Sequence, residues 1–379
     1  MNTDKCLPSV NPPNGLRPSQ VPQFVSIGFD DNGYTGKVPT STPSPNGLEW
    51  GCKTFASRNN PTGAGNAATF DGARCRASYY YTTGYLTGIY IGDDPELVKK
   101  AWHDTTRNFG NEAGVHTHSH PHGHDMSVED WLAEIDKCEE LLTLPLPSSC
   151  ADLSGAGLDK KEFAGFRAPY LHYNDNAFTA MSRRGFVYDC SIEEGWQDGT
   201  DADGFLWPYT LDEGSPGNAA QSSKLDNVRI VGKHSGLWEV PVHVVVVPPD
   251  EDCEQYGVPL GLRSSIAKRN PEINPTDGKI TGLDWNCFVD CRMTKAEFLA
   301  TLKYTLDKRY NGNRAPMAFG AHCDAYTDAY KFPPCISGRE RQEAIEEFLD
   351  YALAKPDVRV VALEDIVKWM KKPSGLDRK

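Results

Sequence analysis

Five of the ten histidines lie within nine residues, from His116 to His124. The neutral imidazole ring is the most common metal ligand in proteins, so this stretch first indicates a metal site. Pro121 and Gly123 disfavour a helix here, and Ser127 opens a capping box for the next helix. The histidines therefore follow a predicted strand over residues 113–116, where α/β enzymes keep their chemistry. A solvated histidine-rich loop without a metal is the alternative.

Two adjacent carboxylates, Asp30 and Asp31, end a short apolar strand that begins at Phe24. Neighbouring strand residues point to opposite faces, so the two side chains cannot play the same part unless the strand has already ended. We expect one carboxylate to bind a metal and the other to move protons. The alternative is a simple turn, because Asp-Asp-Asn-Gly is turn chemistry.

Composition restricts the function classes. The 379 residues are 39% hydrophobic and carry a formal net charge of -13, which predicts a globular protein with an ample core and argues against a nucleic-acid partner. No stretch approaches the roughly 18 apolar residues of a membrane span. The chain begins without a signal peptide, and we interpret it as the mature part of a secreted protein.

The eleven cysteines support that interpretation, because such a number is high for a cytosolic enzyme and indicates disulfides. No Cys-x-x-Cys pair is present, so a zinc ribbon is not expected. Proximity along the chain favours the pairs Cys52–Cys75 and Cys323–Cys335. The odd number leaves at least one thiol free or paired outside the chain.

The elements that must position these residues alternate between strand and helix along the whole chain, which is typical of parallel βα units. Polar residues end successive predicted strands, as at the C-terminal face of a barrel; they are Asp30, His116, Arg167, Asp189 and His322. We predict an α/β fold, a distorted (β/α) barrel with long loop insertions. Residues 1–22 would form an extended proline-rich arm, and residues 23–372 one domain.

Helix starts and one strand can be predicted in more detail. Asp94, Ser127, Thr294, Asn174 or Asp175, and Ser337 or Gly338 are the expected helix caps. Residues 237–247 are β-branched nearly throughout and form the most strand-like run of the chain.

Five segments in chain order resemble the five motifs of the polysaccharide deacetylases of the NodB-homology type, carbohydrate esterase family 4. They are Phe29-Asp30-Asp31, His116-Thr117-His118-Ser119-His120, Arg167-Ala168-Pro169-Tyr170, Asp189-Cys190-Ser191 with Trp207-Pro208-Tyr209, and the strand ending at His322. The resemblance spans about residues 24 to 370 and looks closest to the chitin deacetylase branch. It implies that residues 23–372 form a NodB-like catalytic domain.

The resemblance implies a metal centre with a base beside it. Asp31, His116 and His120 would bind one divalent metal ion, with zinc expected, which activates water. Asp30 would be the general base, and Arg167 would lie beside it and hold it ionised.

The resemblance also implies an acid and a substrate cleft. His322 would protonate the leaving amine, with Asp189 keeping its imidazole protonated and oriented. The backbone N–H of Tyr170 would stabilise the oxyanion. Tyr170 and Trp207 would contact substrate, although a buried place in the core is an equal alternative for Trp207.

Alternatives remain among the other histidines and at one strand residue. His124 lies four residues after His120, so these two form the alternative ligand pair, whereas His234 and His243 are expected to be structural. The family usually carries Leu two residues before the acidic His, where it lines the acetyl pocket. This chain has Gly320 there, which leaves the acyl preference open.

The expected function is therefore metal-dependent hydrolysis of N-acetyl groups on N-acetylglucosamine glycans, with chitin or chito-oligosaccharides as the first choice and a monomeric protein. A catalytically silent carbohydrate-binding protein of the same fold is the second hypothesis. Acetylxylan and peptidoglycan stay open as substrates, because the long loops that would decide carry no readable code.

Overall fold

The structure, a computed structural model, describes residues 5–33, 47–90, 94–148, 153–197, 204–223 and 228–377. Its strands are β1 Gln23–Asp30, β2 Ser78–Tyr81, β3 Glu112–Val115, β4 Phe163–Phe166, β5 Tyr188–Asp189, β6 Glu193–Glu194, β7 Tyr209–Thr210, β8 Trp238–Glu239, β9 Val242–His243, β10 Val245–Val246, β11 Lys279–Ile280, β12 Met317–His322 and β13 Val358–Val360. Its α-helices are α1 Gly47–Ala56, α2 Pro95–Arg107, α3 Val128–Thr143, α4 Asp175–Arg184, α5 Pro216–Ser222, α6 Asp250–Cys253, α7 Leu262–Arg269, α8 Lys295–Asn311, α9 Gly338–Leu353 and α10 Leu363–Lys371.

One curled sheet organises the chain. Its strand order is β12-β1-β2-β3-β4-β5-β8-β7, with β13 beside β1. The pairs from β12 to β8 are parallel, and β7 joins β8 in the antiparallel direction. The predicted α/β fold with a distorted barrel is confirmed. The barrel is open, because β12 and β7 are the two ends of the strand order.

The sheet is buried on both faces, as parallel sheets usually are. All eight residues of β1 are buried. Val25, Ile27 and Phe29 pack in the cluster that the surrounding helices cover, whereas Phe24 belongs to a second cluster, together with Tyr80. Alternation along the strand therefore puts Asp30 on the same face as Phe24, which packs against Trp369 of α10.

The predicted caps are confirmed at the helix starts. Side-chain oxygens of Asp94, Ser127, Asn174, Thr294 and Ser337 accept hydrogen bonds from the first-turn N–H groups of their helices.

The predicted strand over residues 237–247 is broken. It forms β8, β9 and β10, which pair with β5, β6 and β11 respectively. Pro241 has no N–H group to donate to a ladder, so the chain leaves the large sheet after β8. The β-branched composition predicted extended backbone correctly but could not predict three different partners.

The N-terminal segment lies along the edge strand β7. The carbonyl of Cys6 accepts the N–H of Thr210 at 2.8 Å, and that of Ser9 accepts the N–H of Trp207 at 2.9 Å. These bonds cover an edge that would otherwise be open to pairing. The boundary between an arm at 1–22 and a domain at 23–372 stays a prediction.

Among the described residues, ten cysteines are free thiols, nine of them buried, and Cys150 lies outside that part of the chain. The predicted disulfides Cys52–Cys75 and Cys323–Cys335 are therefore wrong. A buried thiol behaves as a small apolar side chain, and here these thiols fill the core. Their number consequently gives no support for an oxidising compartment. None of the described helices is both long and apolar enough to cross a membrane.

A buried ion pair fastens the loop after α1 to β13. The side chains of Arg359 and Asp71 are 0% and 1% exposed, and Asp71 also accepts the N–H groups of residues 64–66. Removing one partner leaves an uncompensated buried charge, so we expect Asp71→Ala to lower the free energy of unfolding by about 3–5 kcal/mol. Denaturant titration followed by circular dichroism measures the change.

Asp350→Ala is the matched control. Its carboxylate pairs with Arg58, but the Asp350 side chain is 66% exposed. The expected loss is below about 1 kcal/mol. Equal losses for the two variants would contradict the argument from burial.

Candidate metal centre and active site

The strand ends bring the predicted polar residues to one place. In the pairing of β1 with β12, Asp30 lies opposite His322, and β3 and β4 end one residue before His116 and Arg167. Parallel strands deliver their carboxyl ends to one edge of the sheet. A cavity of about 510 Å³ opens there, lined by Asp30, Asp31, His116, His120, Tyr170 and His322 among others.

Asp31, His116 and His120 form a candidate metal centre. One ligand atom from each lies within 4.8 Å of the other two, and Asp31 Oδ1 is 3.8 Å from His116 Nε2 and 3.3 Å from His120 Nε2. In the part of the chain that the structure describes, this is the one group of three or more such residues that meets the distance. A carboxylate with two imidazoles fits a divalent cation of the zinc type.

The surroundings of the two histidines suit metal binding. His116 Nδ1 donates to the backbone carbonyl of Arg167 at 2.7 Å, so Nε2 is the ring nitrogen that faces Asp31 Oδ1. Burial lowers the pKa of His120 to about 4, so its imidazole is neutral at physiological pH.

The alternative pair is not brought together. The ring of His124 stacks on that of His172, with centroids 4.1 Å apart, and His124 does not belong to the ligand group. His118 Nδ1 lies 2.9 Å from Thr83 Oγ1. Glu134 accepts the N–H groups of His118 and Ser119 and thereby fixes the loop between the two ligand histidines.

The expected structural histidines have ordinary partners. His234 Nε2 lies 2.7 Å from Asp175 Oδ1. His243 Nε2 lies 3.0 Å from the carbonyl of Leu206.

Left-handed backbone is concentrated around this centre. Ten non-glycine residues of the described chain have positive φ, and six of them lie in the three loops that carry the candidate site. Those six have φ between 53° and 68°: Asp31, Asn32, Thr117, His120, Tyr170 and Leu171. Such a conformation costs on the order of 1–3 kcal/mol per residue and persists where surrounding structure enforces it, commonly at active sites.

Asp30 is paired with a buried arginine. Arg167 Nη1 donates to Asp30 Oδ1 at 2.9 Å, and the two side chains are 1% and 4% exposed. Arg167 also donates to the carbonyls of Gly28 and Cys190, and it lies over the Tyr80 ring. Asp30 also lines the cavity.

The partner of His322 differs from the prediction. Asp284 accepts both the backbone N–H of His322 at 2.8 Å and its Nδ1–H at 2.7 Å, with a carboxylate that is fully buried. Burial alone would lower the pKa of His322, but the charge and hydrogen bond of Asp284, with smaller contributions from Asp30 and Asp31, raise it to about 10. Asp284 therefore holds the place that the resemblance gave to Asp189.

Asp189 faces a different group. It accepts the N–H and the hydroxyl of Ser191 at 2.8 and 2.7 Å, and Ser191 Oγ accepts the N–H of Ala168 at 2.8 Å. Burial raises the pKa of Asp189 to about 6. Asp189 thereby supports the backbone that leads into Tyr170. The position of Asp189 at the end of β5 indicated that it lies near the site, but it did not indicate which residue Asp189 contacts.

Trp207 lies in the core, as the alternative interpretation of this residue expected. Its side chain is 1% exposed, its indole N–H points to the carbonyl of Asn313, and its ring lies 5.8 Å from that of Trp369. Tyr170 does line the cavity, is 52% exposed and stacks on His122. Trp285, which sequence reasoning missed, is a 48% exposed aromatic on the cavity wall.

The segment Gly282-Leu283-Asp284-Trp285 supplies three residues that the predictions lacked. It follows β11 inside the long insertion after β10. Leu283 and Trp285 line the cavity, and Asp284 holds His322. An Asp-Trp dipeptide after a short strand was the available signal, but the surrounding loop has no periodicity that would have given it a position.

A second cavity continues the first. It measures about 180 Å³, and it shares Tyr170, Leu171, His172, Leu283 and Asn286 with the larger one. Its polar lining includes Glu193, which accepts hydrogen bonds from Gln221 and Thr281. The two cavities therefore adjoin, and we refer to them together as the groove.

Sequence comparison relates this chain to polysaccharide deacetylases. Residues 76–188 match the sequence profile of the family described as "Polysaccharide deacetylase". Chitin deacetylase 8 of Bombyx mori is 23% identical over 381 residues, which cover 98% of this chain and 76% of that protein. Chitin deacetylase 1 of Bombyx mori is 21% identical over 367 residues, covering 95% of this chain and 53% of that protein.

The fold has a solved counterpart. A crystal structure of a Mycobacterium smegmatis protein assigned as a polysaccharide deacetylase superposes with a TM-score of 0.54 at 15% sequence identity, covering 99% of both chains. The profile match and the two relatives agree with the motifs read from the sequence, and the chain is similar in sequence and in fold to polysaccharide deacetylases.

Proposed function

We propose that this protein is a metal-dependent deacetylase that hydrolyses N-acetyl groups of N-acetylglucosamine glycans. The observation that carries the proposal is the convergence of three parts on one cavity: the ligand triad Asp31, His116 and His120, the Asp30–Arg167 pair and the His322–Asp284 pair. The similarity to the polysaccharide deacetylase profile and to two chitin deacetylases supports the reaction class.

The ligand triad would hold one divalent ion, for which we propose zinc. Bound there, the ion would polarise the amide carbonyl and lower the pKa of water. Asp30 would accept the proton of the attacking water, because it lies next to the triad and its charge is balanced by Arg167. The backbone N–H of Tyr170 would donate to the oxyanion that develops on the carbonyl.

His322 would act as the general acid. With a pKa of about 10, its imidazole is protonated at neutral pH and can deliver a proton to the departing amine. Asp284 orients the ring through Nδ1, which leaves Nε2 free to donate. The base and the acid lie opposite each other in the strand register, so they can act on the two sides of one scissile bond.

The substrate would be an oligosaccharide or a polymer. The groove extends beyond the reaction centre into the second cavity, and the exposed rings of Tyr170 and Trp285 offer apolar faces of the kind on which sugar rings stack. The two Bombyx mori relatives are named chitin deacetylases, which supports chitin or chito-oligosaccharides as the first choice. An extracellular site of action and a monomeric state belong to the same proposal.

Acetate release from a substrate panel tests the function. Chelator-stripped protein, with and without added zinc, is incubated with chito-oligosaccharides, chitin, acetylxylan and peptidoglycan. We expect zinc-restored release from the chitin-derived substrates. Release from acetylxylan or peptidoglycan alone would change the substrate, and silence across the panel with zinc bound would favour the carbohydrate-binding hypothesis.

Two variants distinguish the role of a metal ligand from the role of the general base. We expect His116→Ala to lose both zinc and turnover, because one of three protein ligands is removed. Asp30→Asn should keep stoichiometric zinc and lose about 10²- to 10⁴-fold in kcat, the contribution of a general base. The zinc content is measured by inductively coupled plasma mass spectrometry, and kcat is measured by acetate release. Unchanged zinc in His116→Ala would overturn the ligand assignment.

The pH profile distinguishes Asp284 from Asp189. Asp284→Asn removes the negative charge that raises the pKa of His322, so the acid loses its proton at lower pH. We expect the alkaline limb of the kcat profile to move down by about 1 to 3 pH units, the usual effect of a close opposite charge. Asp189→Asn is the matched control and should leave that limb in place. A shift in the control alone would return the role to Asp189.

A further inference from the structure

Two glycines face each other beneath the reaction centre. Gly28 of β1 pairs with Gly320 of β12, two residues before Asp30 and His322 along their strands and therefore on the same face of the sheet. A Cβ atom at Gly28 would lie 3.1 Å from the Arg167 guanidinium nitrogens. The glycine pair therefore leaves space on the inner face of the sheet, and Arg167 occupies part of it.

Leu283 occupies the space next to Gly320. A Cβ atom at Gly320 would lie 2.6 Å from Leu283 Cδ2 and 3.0 Å from its Cγ. The side chain of Leu283 is 9% exposed and lines the cavity that contains Asp30 and His322. An apolar side chain thus lies beside the strand position two residues before the acid, although that position is a glycine.

The backbone around Leu283 is fixed at several points. Residue 283 forms an isolated parallel bridge with Gly320, and the N–H of Gly320 donates to the carbonyl of Gly282 at 2.8 Å. A Cβ at Gly282 would lie 2.1 Å from the carbonyl oxygen of His243, so only glycine allows this close approach. On the other side Asp284 is bonded to His322.

We propose that Leu283 forms the wall against which the acyl group of the substrate packs, and that it limits the accepted chain to the two carbons of acetyl. This inference rests on the proposed function, because it concerns the same cavity. It identifies a residue of the insertion, 37 positions before Gly320, as the determinant of acyl-chain length. The ligand class is the acyl part of an N-acyl glucosamine.

Acyl-chain selectivity tests the proposal. Chito-oligosaccharides carrying N-acetyl, N-propionyl or N-butyryl groups are compared by kcat/KM for wild type and Leu283→Ala. One methylene in an apolar pocket changes kcat/KM by roughly 10- to 200-fold. We therefore expect the propionyl-to-acetyl ratio of kcat/KM to rise at least about tenfold in Leu283→Ala. An unchanged ratio in an active variant would overturn the proposal.

A side-chain exchange across the bridge makes the test specific. Gly320→Leu alone should lower kcat/KM for all three substrates, because its Cβ meets Leu283. The double variant Leu283→Gly/Gly320→Leu returns one leucine to the same space from the strand, so we expect it to recover the acetyl preference. A double variant that is folded and active but keeps the selectivity of Leu283→Ala would contradict the assignment.

Two controls separate folding and function from the inference. Leu158→Ala removes a leucine that is 3% exposed and lies outside both cavities; it should lower the melting temperature without changing selectivity. Binding of acetate, propionate and butyrate to zinc-loaded protein is measured by calorimetry as a readout without turnover. Leu283→Ala should favour the longer carboxylates. If wild type binds acetate but releases no acyl group from any substrate, the proposed function fails, and a shift toward longer carboxylates in Leu283→Ala still decides the role of Leu283.

Discussion

The buried guanidinium of Arg167 is the interaction on which the site depends. Arg167 Nη1 donates to Asp30 Oδ1, and the backbone carbonyl of Arg167 accepts a hydrogen bond from His116 Nδ1. One residue thus fixes both the candidate base and one candidate metal ligand. Because its side chain is 1% exposed, its charge must be balanced inside the protein, and the carboxylate of Asp30 supplies that balance. The glycine pair of β1 and β12 follows from the same requirement for space.

The site is assembled from two sources. The sheet delivers the ligand triad, Asp30 and Arg167 at its strand ends, and the segment 282–285 adds the carboxylate behind His322 and part of the cavity wall. The first group belongs to the region shared with the family profile or lies in a neighbouring strand. The second lies in the irregular chain between β11 and α8.

The division also explains what the sequence could predict. His116, Arg167 and His322 end strands whose apolar pattern is readable, so their convergence follows from parallel topology. Asp284 could not be placed, because its position depends on Gly282 approaching His243 and on a bridge to Gly320, contacts that no local pattern encodes. Residue type alone could not decide between core and cleft for Trp207. The two cysteine pairs were wrong because closeness along the chain does not show that two thiols are bonded.

The left-handed residues around the candidate metal centre imply that stability is given up for the function of the site. Residues such as His120 and Tyr170 hold conformations that L-amino acids avoid. Glycine or asparagine at these positions would therefore raise the free energy of unfolding. The histidine ring at position 120 is the candidate ligand, and such a gain would remove it. A search for heat-tolerant variants should therefore enrich substitutions in these loops that remove candidate site residues, and a chain that keeps the site intact should stay below its attainable stability.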